Sequence, residues 1–108
     1  MEKTVKEIMR ETLIELAKIM LEAFDAGVNM DYDTRDAGTE RAWITGSITL
    51  EGWTNITEDS KGLAYRKFEI YNHHSESQIR EKLESIRKDV EEMSKYEIRN
   101  VYAIVSKR

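Results

Sequence analysis

The feature that most constrains this chain is a wide apolar stripe near its N-terminus. Apolar residues recur there at steps of three and four, the spacing of one face of an α-helix. The stripe consists of Val5, Ile8, Met9, Leu13, Leu16, Ala17, Met20 and Phe24, and it is widened by Ile14, Ile19 and Leu21. We therefore expect a helix from about Val5 to Ala26 that is either enclosed by the fold or in contact with another subunit. In a chain of 108 residues we favour the subunit contact.

Polar residues at the expected ends support this helix and a second one. Thr4 followed by Glu7 matches a capping box, and Gly27 suits a left-handed helix end. Ser75 with Gln78 forms another capping box. The residues that follow it at steps of four and three are Ile79, Leu83, Ile86, Val90 and Met93. This spacing predicts an amphipathic helix with a narrow apolar face.

The middle and the end of the chain have the patterns of β-strands. "RAWITGSITLEG" alternates between apolar and polar residues, with Gly46 as a candidate bulge, and "LAYRKFEIY" (residues 63–71) predicts the returning strand. The segment from Trp53 to Gly62 is an optional third strand. "EIRNVYAIVS" is apolar on both parities, which predicts a strand buried inside the sheet and parallel to a hairpin strand.

Together these elements predict one α+β domain spanning residues 1–108. Its order is α-β-β-(β)-α-β: a long N-terminal helix, an antiparallel hairpin with the optional third strand, a second amphipathic helix and a final buried strand.

Composition and charge exclude several classes of protein. The net charge is −4, and residues 1–40 carry ten acidic but five basic side chains, so duplex nucleic acid is not an expected partner. The charged N-terminus has no apolar run typical of export, and no segment reaches the roughly 20 apolar residues of a membrane span. The chain contains no cysteine. We therefore expect a cytoplasmic protein without membrane contact.

Two polar segments contain residue types that bind metal ions. "NMDYDTRDAGTE" (residues 29–40) contains Asp31, Asp33 and Asp36 but departs from the calcium-loop pattern, so we expect a solvated connection, with a magnesium site at Asp31 and Asp33 or a lid over a ligand as the alternatives. His73 and His74 are adjacent in a segment expected to be extended, where neighbouring side chains point apart. We predict no metal site and no other cofactor.

The sequence also lacks the patterns of common catalytic sites. There is no cysteine, "ITGSIT" has no glycine after its serine as a nucleophile elbow requires, and no glycine-rich phosphate loop occurs. We expect a protein that is not an enzyme.

Aromatic and basic side chains are mixed on the predicted hairpin. Arginine and lysine bind phosphate, while aromatic rings stack on nucleobases. The candidate phosphate or ribose contacts are Arg41, Arg66, Lys67 and Arg99, the candidate stacking residues are Trp43, Tyr65, Phe68 and Tyr102, and Asn100 lies beside them in sequence. The alternative is that the aromatic residues form the core under the first helix and the basic residues are solvated.

The segments "RAWITGSITLEGW", "YRKFEIYN" and "IRNVYAIVS", together with the order of elements, resemble the phage-encoded anti-Thoeris sponge family. The resemblance implies a non-catalytic oligomer that sequesters cyclic ADP-ribose-type signals. Our hypothesis is a homo-oligomer that associates through residues 5–24 and holds a small nucleotide-derived molecule between subunits. The alternative is an acidic protein-interaction module that acts on a host protein through its negatively charged N-terminal half.

Overall fold

The chain folds as a long helix, a three-stranded antiparallel sheet, a second long helix and a two-stranded sheet. This computed structural model describes residues 2–56, 61–99 and 103–107. The elements are α1 (Val5–Ala26), β1 (Asn29–Arg35), β2 (Trp43–Thr49), a 3-10 turn (Trp53–Asn55), α2 (Lys61–Ala64), β3 (Tyr65–Ile70), α3 (Glu76–Met93), β4 (Tyr96–Ile98) and β5 (Ile104–Ser106). The predicted α+β class and order of elements are confirmed.

The helix α1 begins and ends, and α3 begins, as the residues at those positions predict. The Thr4 hydroxyl accepts a hydrogen bond from the Glu7 N–H at 3.2 Å. Gly27 ends α1 in the left-handed conformation, with φ at 75°. At the start of α3, the Gln78 N–H donates to the Ser75 hydroxyl, and the Ser75 N–H donates to the Gln78 side chain at 2.8 Å, which completes the capping box.

The predicted connection after α1 is largely a strand, so this part of the sequence prediction is wrong. Residues 29–35 form β1, which pairs along its whole length with β2. Met30 and Tyr32 point toward the helices, whereas Asp31 and Asp33 point away from them. Acidic residues are common in turns, but here they occupy the solvent side of a strand, and their alternation with apolar residues is the stronger signal.

The predicted hairpin is confirmed as β2 and β3, but the third strand lies elsewhere. The strand order is β1-β2-β3, so the additional strand precedes the hairpin in sequence. The chain leaves β2 through Gly52, whose φ of 84° turns it into the 3-10 turn at Trp53. Residues 57–60 of the proposed strand extension lie outside the described residues.

The final segment does not enter the main sheet, contrary to the prediction. β4 and β5 pair with each other antiparallel, joining Tyr96 to Ser106 and Ile98 to Ile104. Ile98 lies in β4, Ile104 and Val105 lie in β5, and Tyr96, Ile98 and Ile104 pack against the main core. Residues 100–102, which include the predicted site residues Asn100 and Tyr102, lie outside the described residues.

The core lies between one face of the three-stranded sheet and the two long helices. On α1 a buried line of residues at steps of three and four contacts this core; it consists of Met9, Thr12, Leu16, Ile19 and Ala23. The Thr12 hydroxyl donates to the Ile8 carbonyl at 2.7 Å, so its burial leaves no polar group without a partner. Ile14, Leu21 and Phe24 are 50%, 65% and 78% exposed. The fold therefore covers only part of the wide stripe. No helix among the described residues is long and apolar enough to cross a bilayer.

Gly46 is a close-packing position and not the bulge that the sequence suggested. The pairing register runs without interruption from Tyr32 through Gly46 to Phe68. A Cβ atom at Gly46 would lie 2.4 Å from the Asp31 carbonyl oxygen and 2.4 Å from Cζ of Phe68. The absence of a side chain therefore lets the Phe68 ring pack directly over the sheet.

Replacing Gly46 with alanine should destabilise the fold, because the added methyl group has no room. We expect Gly46→Ala to lower the free energy of unfolding by about 1 to 3 kcal/mol, measured by chemical denaturation. Gly62→Ala is the matched control, since a Cβ at Gly62 meets no atom within 4 Å in the part of the chain that the structure describes. Equal stability of the two variants would contradict the close packing of Phe68 on Gly46.

Candidate functional site

The candidate site is the face of the three-stranded sheet opposite the helices, here called the open face. Strand side chains alternate, and because Ile44, Ile48 and Ile70 point into the core, their neighbours point the other way. The open face consists of Asn29, Asp31, Asp33 and Arg35 from β1, Trp43, Thr45, Ser47 and Thr49 from β2, and Tyr65, Lys67, Glu69 and the following Tyr71 from β3. All of these side chains are exposed or half-buried.

Aromatic rings lie at both ends of the open face. At one end Trp43 stacks on Tyr71, with ring centroids 5.2 Å apart, and Tyr71 stacks on His73 at 5.4 Å. At the other end Trp53 from the 3-10 turn lies against Tyr65, with centroids 4.6 Å apart. Tyr65 and Tyr71 are six positions apart in sequence, a distance of about 20 Å along an extended strand. Each end therefore holds a pair of aromatic rings in contact with each other.

A shallow polar cavity lies between the two aromatic ends. Its volume is about 320 Å³, and short side chains from β2, Thr45 and Ser47, form its floor. Its walls carry Asp31 and Asp33 on one side and Tyr65 and Lys67 on the other. Asp31, Ser47 and Lys67 are cross-strand neighbours, so carboxylate, hydroxyl and ammonium groups lie in one row across the sheet.

The charge of the open face favours hydroxyl groups over multiple phosphates. Asp31, Asp33 and Glu69 supply three carboxylates, against the two cations Lys67 and Arg35. The Tyr71 hydroxyl donates a hydrogen bond to the Glu69 carboxylate, and this bond raises the pKa of Tyr71. The two aspartates remain as acceptors at the cavity. A ligand with several negative charges would be repelled there.

The structure brings together three of the predicted site residues on the open face: Trp43, Tyr65 and Lys67. Arg41 is exposed and precedes β2, at the Trp43 end, where its carbonyl oxygen accepts a hydrogen bond from the Asn72 side chain at 2.9 Å. Arg99 is exposed beyond β4 and pairs with Glu97 at 3.0 Å.

Arg66 and Phe68 lie on the opposite, helix-facing side of the sheet. The Arg66 guanidinium donates to Asp89 at 2.5 Å and to Glu92 at 3.2 Å, both on α3. Its Nε also donates to the Gly62 carbonyl at 3.0 Å. Arg66 thus links α3 to β3, and its guanidinium would have to break these hydrogen bonds to bind a phosphate.

Sequence reasoning missed the contribution of β1 to this face. Asp31 and Asp33 were assigned to a connection, although the alternation of "NMDYDTR" was a usable signal for a strand with acidic residues on one side. Ser47 and Trp53 were also missed as site residues. No pattern in the sequence shows that Trp53 turns back onto Tyr65, because this depends on the turn at Gly52.

The two histidines are closer together than the sequence suggested. They lie in a turn, and their ring centroids are 4.7 Å apart. The Tyr71 N–H donates to Nδ1 of His74 at 2.9 Å, which occupies the lone pair that a metal ion would need. Within the described ranges no group of three or more metal-ligating side chains comes together. Burial lowers the pKa of His74, and the nearby positive charges of Lys82 and His73 lower it further.

Comparisons with known proteins indicate no function for the open face. The chain matches no protein-family model, and neither a curated protein nor a solved structure is similar to it.

Replacing two adjacent residues of β3, Arg66 and Lys67, should distinguish a structural role from a ligand-binding role. Because Arg66 bridges two carboxylates at a half-buried position, Arg66→Ala should lower the free energy of unfolding by about 1 to 2 kcal/mol. Lys67→Ala, on the open face, should leave stability within about 0.5 kcal/mol of the original chain. Chemical denaturation measures both. An Arg66→Ala protein that is as stable as Lys67→Ala would contradict the structural role of Arg66.

The lowered pKa of His74 predicts that mild acid weakens the fold. The unfolded chain binds a proton near the ordinary histidine pKa of 6.5, whereas folded His74 resists it. The stability contributed by neutral His74 is therefore present above that pKa and is lost as the pH falls below it. We expect a lower free energy of unfolding at about pH 5.5 than at pH 7.5.

His74→Asn should reduce this pH dependence, because its amide oxygen can accept from the Tyr71 N–H but does not titrate in this range. His73→Asn is the control and should retain most of the dependence. If both variants keep the full pH dependence, another group is responsible.

Proposed function

We propose that this chain is a non-enzymatic binding protein that sequesters a small nucleoside-derived molecule on the open face of its sheet. The observation that supports this most directly is the polar cavity, which lies between two preformed aromatic surfaces on one exposed sheet. The ligand would be an intracellular one, in keeping with the cytoplasmic location predicted from the sequence.

Stacking on Tyr65 would hold the base of such a ligand. Tyr65 lines the cavity, and its ring centroid lies 4.6 Å from that of Trp53. An aromatic ring that is already held in place loses little side-chain entropy on binding, and stacking of one base contributes about 1 to 3 kcal/mol. The Trp43–Tyr71 pair is a second stacking surface at the far end of the same face.

The cavity itself fits a sugar that carries one phosphate. Asp31 and Asp33 are acceptors for hydroxyl groups, as acidic residues are for ribose in dinucleotide-binding folds. Lys67, on the opposite wall, would pair with one phosphate. The sequence predicted a phosphate clamp of four basic residues, but only one of them faces this cavity. The ligand class that follows is a nucleoside or a nucleotide with few charges.

The open, solvent-accessible site favours ligand binding over catalysis. The cavity is shallow and lies on the surface of the sheet, so it does not exclude water or enclose a reacting group. The resemblance to anti-Thoeris sponges implies the same kind of activity, with cyclic ADP-ribose-type signals as one ligand to include. Counter-defence by a phage is the biological role that would follow from that ligand.

Calorimetric titration with adenosine, AMP, ADP-ribose and cyclic ADP-ribose tests this proposal. We expect at least one of the four to bind, with an affinity about tenfold weaker in the Lys67→Ala variant if the ligand carries phosphate. Lys88→Ala is the matched control, because Lys88 is an exposed lysine on α3, away from the open face. Its affinity should be unchanged. No heat with any member of the panel would count against the proposal.

Tryptophan fluorescence should show which aromatic end binds the base. The chain has two tryptophans, Trp43 and Trp53, one at each end of the open face. If the base stacks on Tyr65, ligand should quench the fluorescence of the Trp43→Phe variant, which keeps Trp53, more strongly than that of Trp53→Phe. Stronger quenching in Trp53→Phe would place the base at the Trp43–Tyr71 end instead.

A second candidate function is an interaction module for a host protein. It is favoured by the exposed apolar side chains of α1, Leu21 and Phe24, which lie beside the acidic residues Glu22 and Asp25. Binding of a defined basic protein that weakens with salt and is lost in a Leu21→Glu variant would support this function over ligand sequestration.

A further inference from the structure

The outer edge of β1 is a strand edge without the usual protection. β1 is the first strand in the order β1-β2-β3, and no other strand in the described ranges pairs with it. Proteins commonly block such an edge with a proline, a bulge or an inward-pointing charge. The chain has no proline, β1 pairs with β2 without interruption, and its helix-facing residues are Met30, Tyr32 and Thr34. The other edge strand, β3, does carry an inward charge, Arg66. Unpaired backbone groups on β1 are therefore accessible to another strand.

The helix α1 lies alongside β1 at both ends of the strand. At the start of β1, the Val28 N–H donates to the Ala23 carbonyl at 2.9 Å. At its end, Thr34 shares a mainly apolar groove of about 390 Å³ with Met9 and Leu13 of α1. The helix and the strand thus run antiparallel to each other over the whole length of β1.

The side of α1 above this edge is apolar and only partly covered. The helix α3 packs on the other side of α1, where Ile8 and Thr12 share a cavity with Ile79. Toward the edge, apolar residues follow one another at steps of four, three and four, and we call them the α1 flank: Leu13, Ala17, Met20 and Phe24. Ala17 is exposed, and Phe24 is 78% exposed. The flank is about 17 Å long and β1 about 20 Å, so together they border a strip of surface that fits one β-strand.

The charges on β1 favour cations on one side of such a strand. Asp31 and Asp33 are exposed on the open face, and neither has an ion-pair partner among the described residues. Opposite charges that face each other across two strands stabilise the pair, and like charges destabilise it. Lysine or arginine opposite the two aspartates would therefore favour binding. On the helix side, Lys6 and Arg10 lie at the groove and would repel further cations, so apolar residues fit there.

The same charges disfavour a second copy of β1 as the added strand. In an antiparallel pair of β1 strands centred on Tyr32, Asp31 of each copy would lie opposite Asp33 of the other. Two such repulsive pairs would form in one short contact. The partner is therefore a different sequence.

We propose that the β1 edge binds an extended segment of another protein in which lysine or arginine alternates with apolar residues. The segment adds a fourth strand to the sheet, as in other cases of strand addition to an exposed edge. Its cations face Asp31 and Asp33, and its apolar side chains pack beneath the α1 flank, one of them in the groove beside Leu13.

This interaction goes beyond nucleoside binding and does not require it. Asp31 and Asp33 are shared with the polar cavity, but Lys67 belongs to the cavity alone and Phe24 to the α1 flank alone. Lys67→Ala should leave segment binding unchanged, and Phe24→Ser should leave nucleoside binding unchanged. Each interaction can therefore fail without the other.

Fluorescence anisotropy with labelled, capped peptides of about nine residues tests the proposal. A peptide that alternates valine with lysine should bind saturably. Two control peptides should bind at least about tenfold more weakly: one with glutamate in place of lysine, and one of the original composition with its valines grouped together. No saturable binding of the alternating lysine peptide up to about 1 mM would overturn the proposal, and so would equal binding of the grouped peptide.

Backbone methylation of the peptide tests strand addition directly. In an extended strand the N–H groups of alternate residues point to the same side, so every second N–H would face β1. A methylated nitrogen cannot donate a hydrogen bond. Peptides methylated at a central lysine or at the neighbouring valine should therefore differ at least about tenfold in affinity. Equal affinities would overturn pairing with the edge.

Replacing Phe24 tests the contribution of the α1 flank. Phe24→Ser should weaken binding of the lysine peptide about tenfold, because a bound strand covers this ring. Ile14→Ser is the matched control on the same helix, since Ile14 is 50% exposed but lies about 100° around the helix from Leu13. Its affinity should be unchanged. Equal effects of the two substitutions would overturn the placement beneath the flank.

Charge reversal tests the pairing with the two aspartates. A variant that combines Asp31→Lys with Asp33→Lys should bind the glutamate peptide more tightly than the lysine peptide. Asp33→Lys alone, which has Thr45 and Glu69 as cross-strand neighbours, provides the same test if the double variant does not fold by circular dichroism. A folded variant that keeps the original preference, or has none, would overturn the proposal.

A competitor peptide of residues 28–36 of this chain tests a second copy as the occupant. It should displace the lysine peptide only weakly, because its aspartates would face Asp31 and Asp33. Displacement at a lower concentration than unlabelled lysine peptide requires would assign the β1 edge to self-association and overturn the proposal.

Discussion

The packing of α1 and α3 against each other and on one face of the three-stranded sheet is the contact on which the rest of the structure depends. Leu16 and Ile19 of α1 are fully buried in the same core as Ile44 and Ile48 of β2. Burial of such side chains contributes roughly 1.5 to 3 kcal/mol each, and this short chain has few of them. Since one face of the sheet is committed to the helices, the other becomes the open face.

The same contact separates residues that are neighbours in sequence. Arg66 and Lys67 are consecutive cations, yet Arg66 faces α3 and is held by Asp89 and Glu92, whereas Lys67 lines the polar cavity. Only the register of β3 distinguishes them, because side chains alternate between the two faces of a strand. On α1 the apolar residues are divided between two sides of the helix. The buried line faces the sheet and α3, and the exposed side chains of Ile14, Leu21 and Phe24 face outward.

Much of the fold could be predicted because its signals are local. The ends of α1 and α3 follow from Thr4, Gly27 and Ser75, whose hydrogen bonds and backbone conformations involve only their near neighbours. The hairpin follows from strict alternation. β1 was missed because Asp31 and Asp33 are typical of turns, and the partner strand that makes them part of a sheet is distant in sequence. Of the seven predicted site residues that the structure describes, only Trp43, Tyr65 and Lys67 lie on the open face, because the placement of the other four also depends on contacts between distant residues.

The sequence by itself determined which segments become helices and strands and which side of each is apolar, because these properties depend on spacing along the chain. Only the tertiary structure decided which side is covered. It placed β1 beside β2, turned Trp53 onto Tyr65, and made Gly46 the site where the Phe68 ring packs. It also left part of the α1 stripe exposed. Strand register and helix placement arise from contacts between distant residues, and a local pattern carries no information about those contacts.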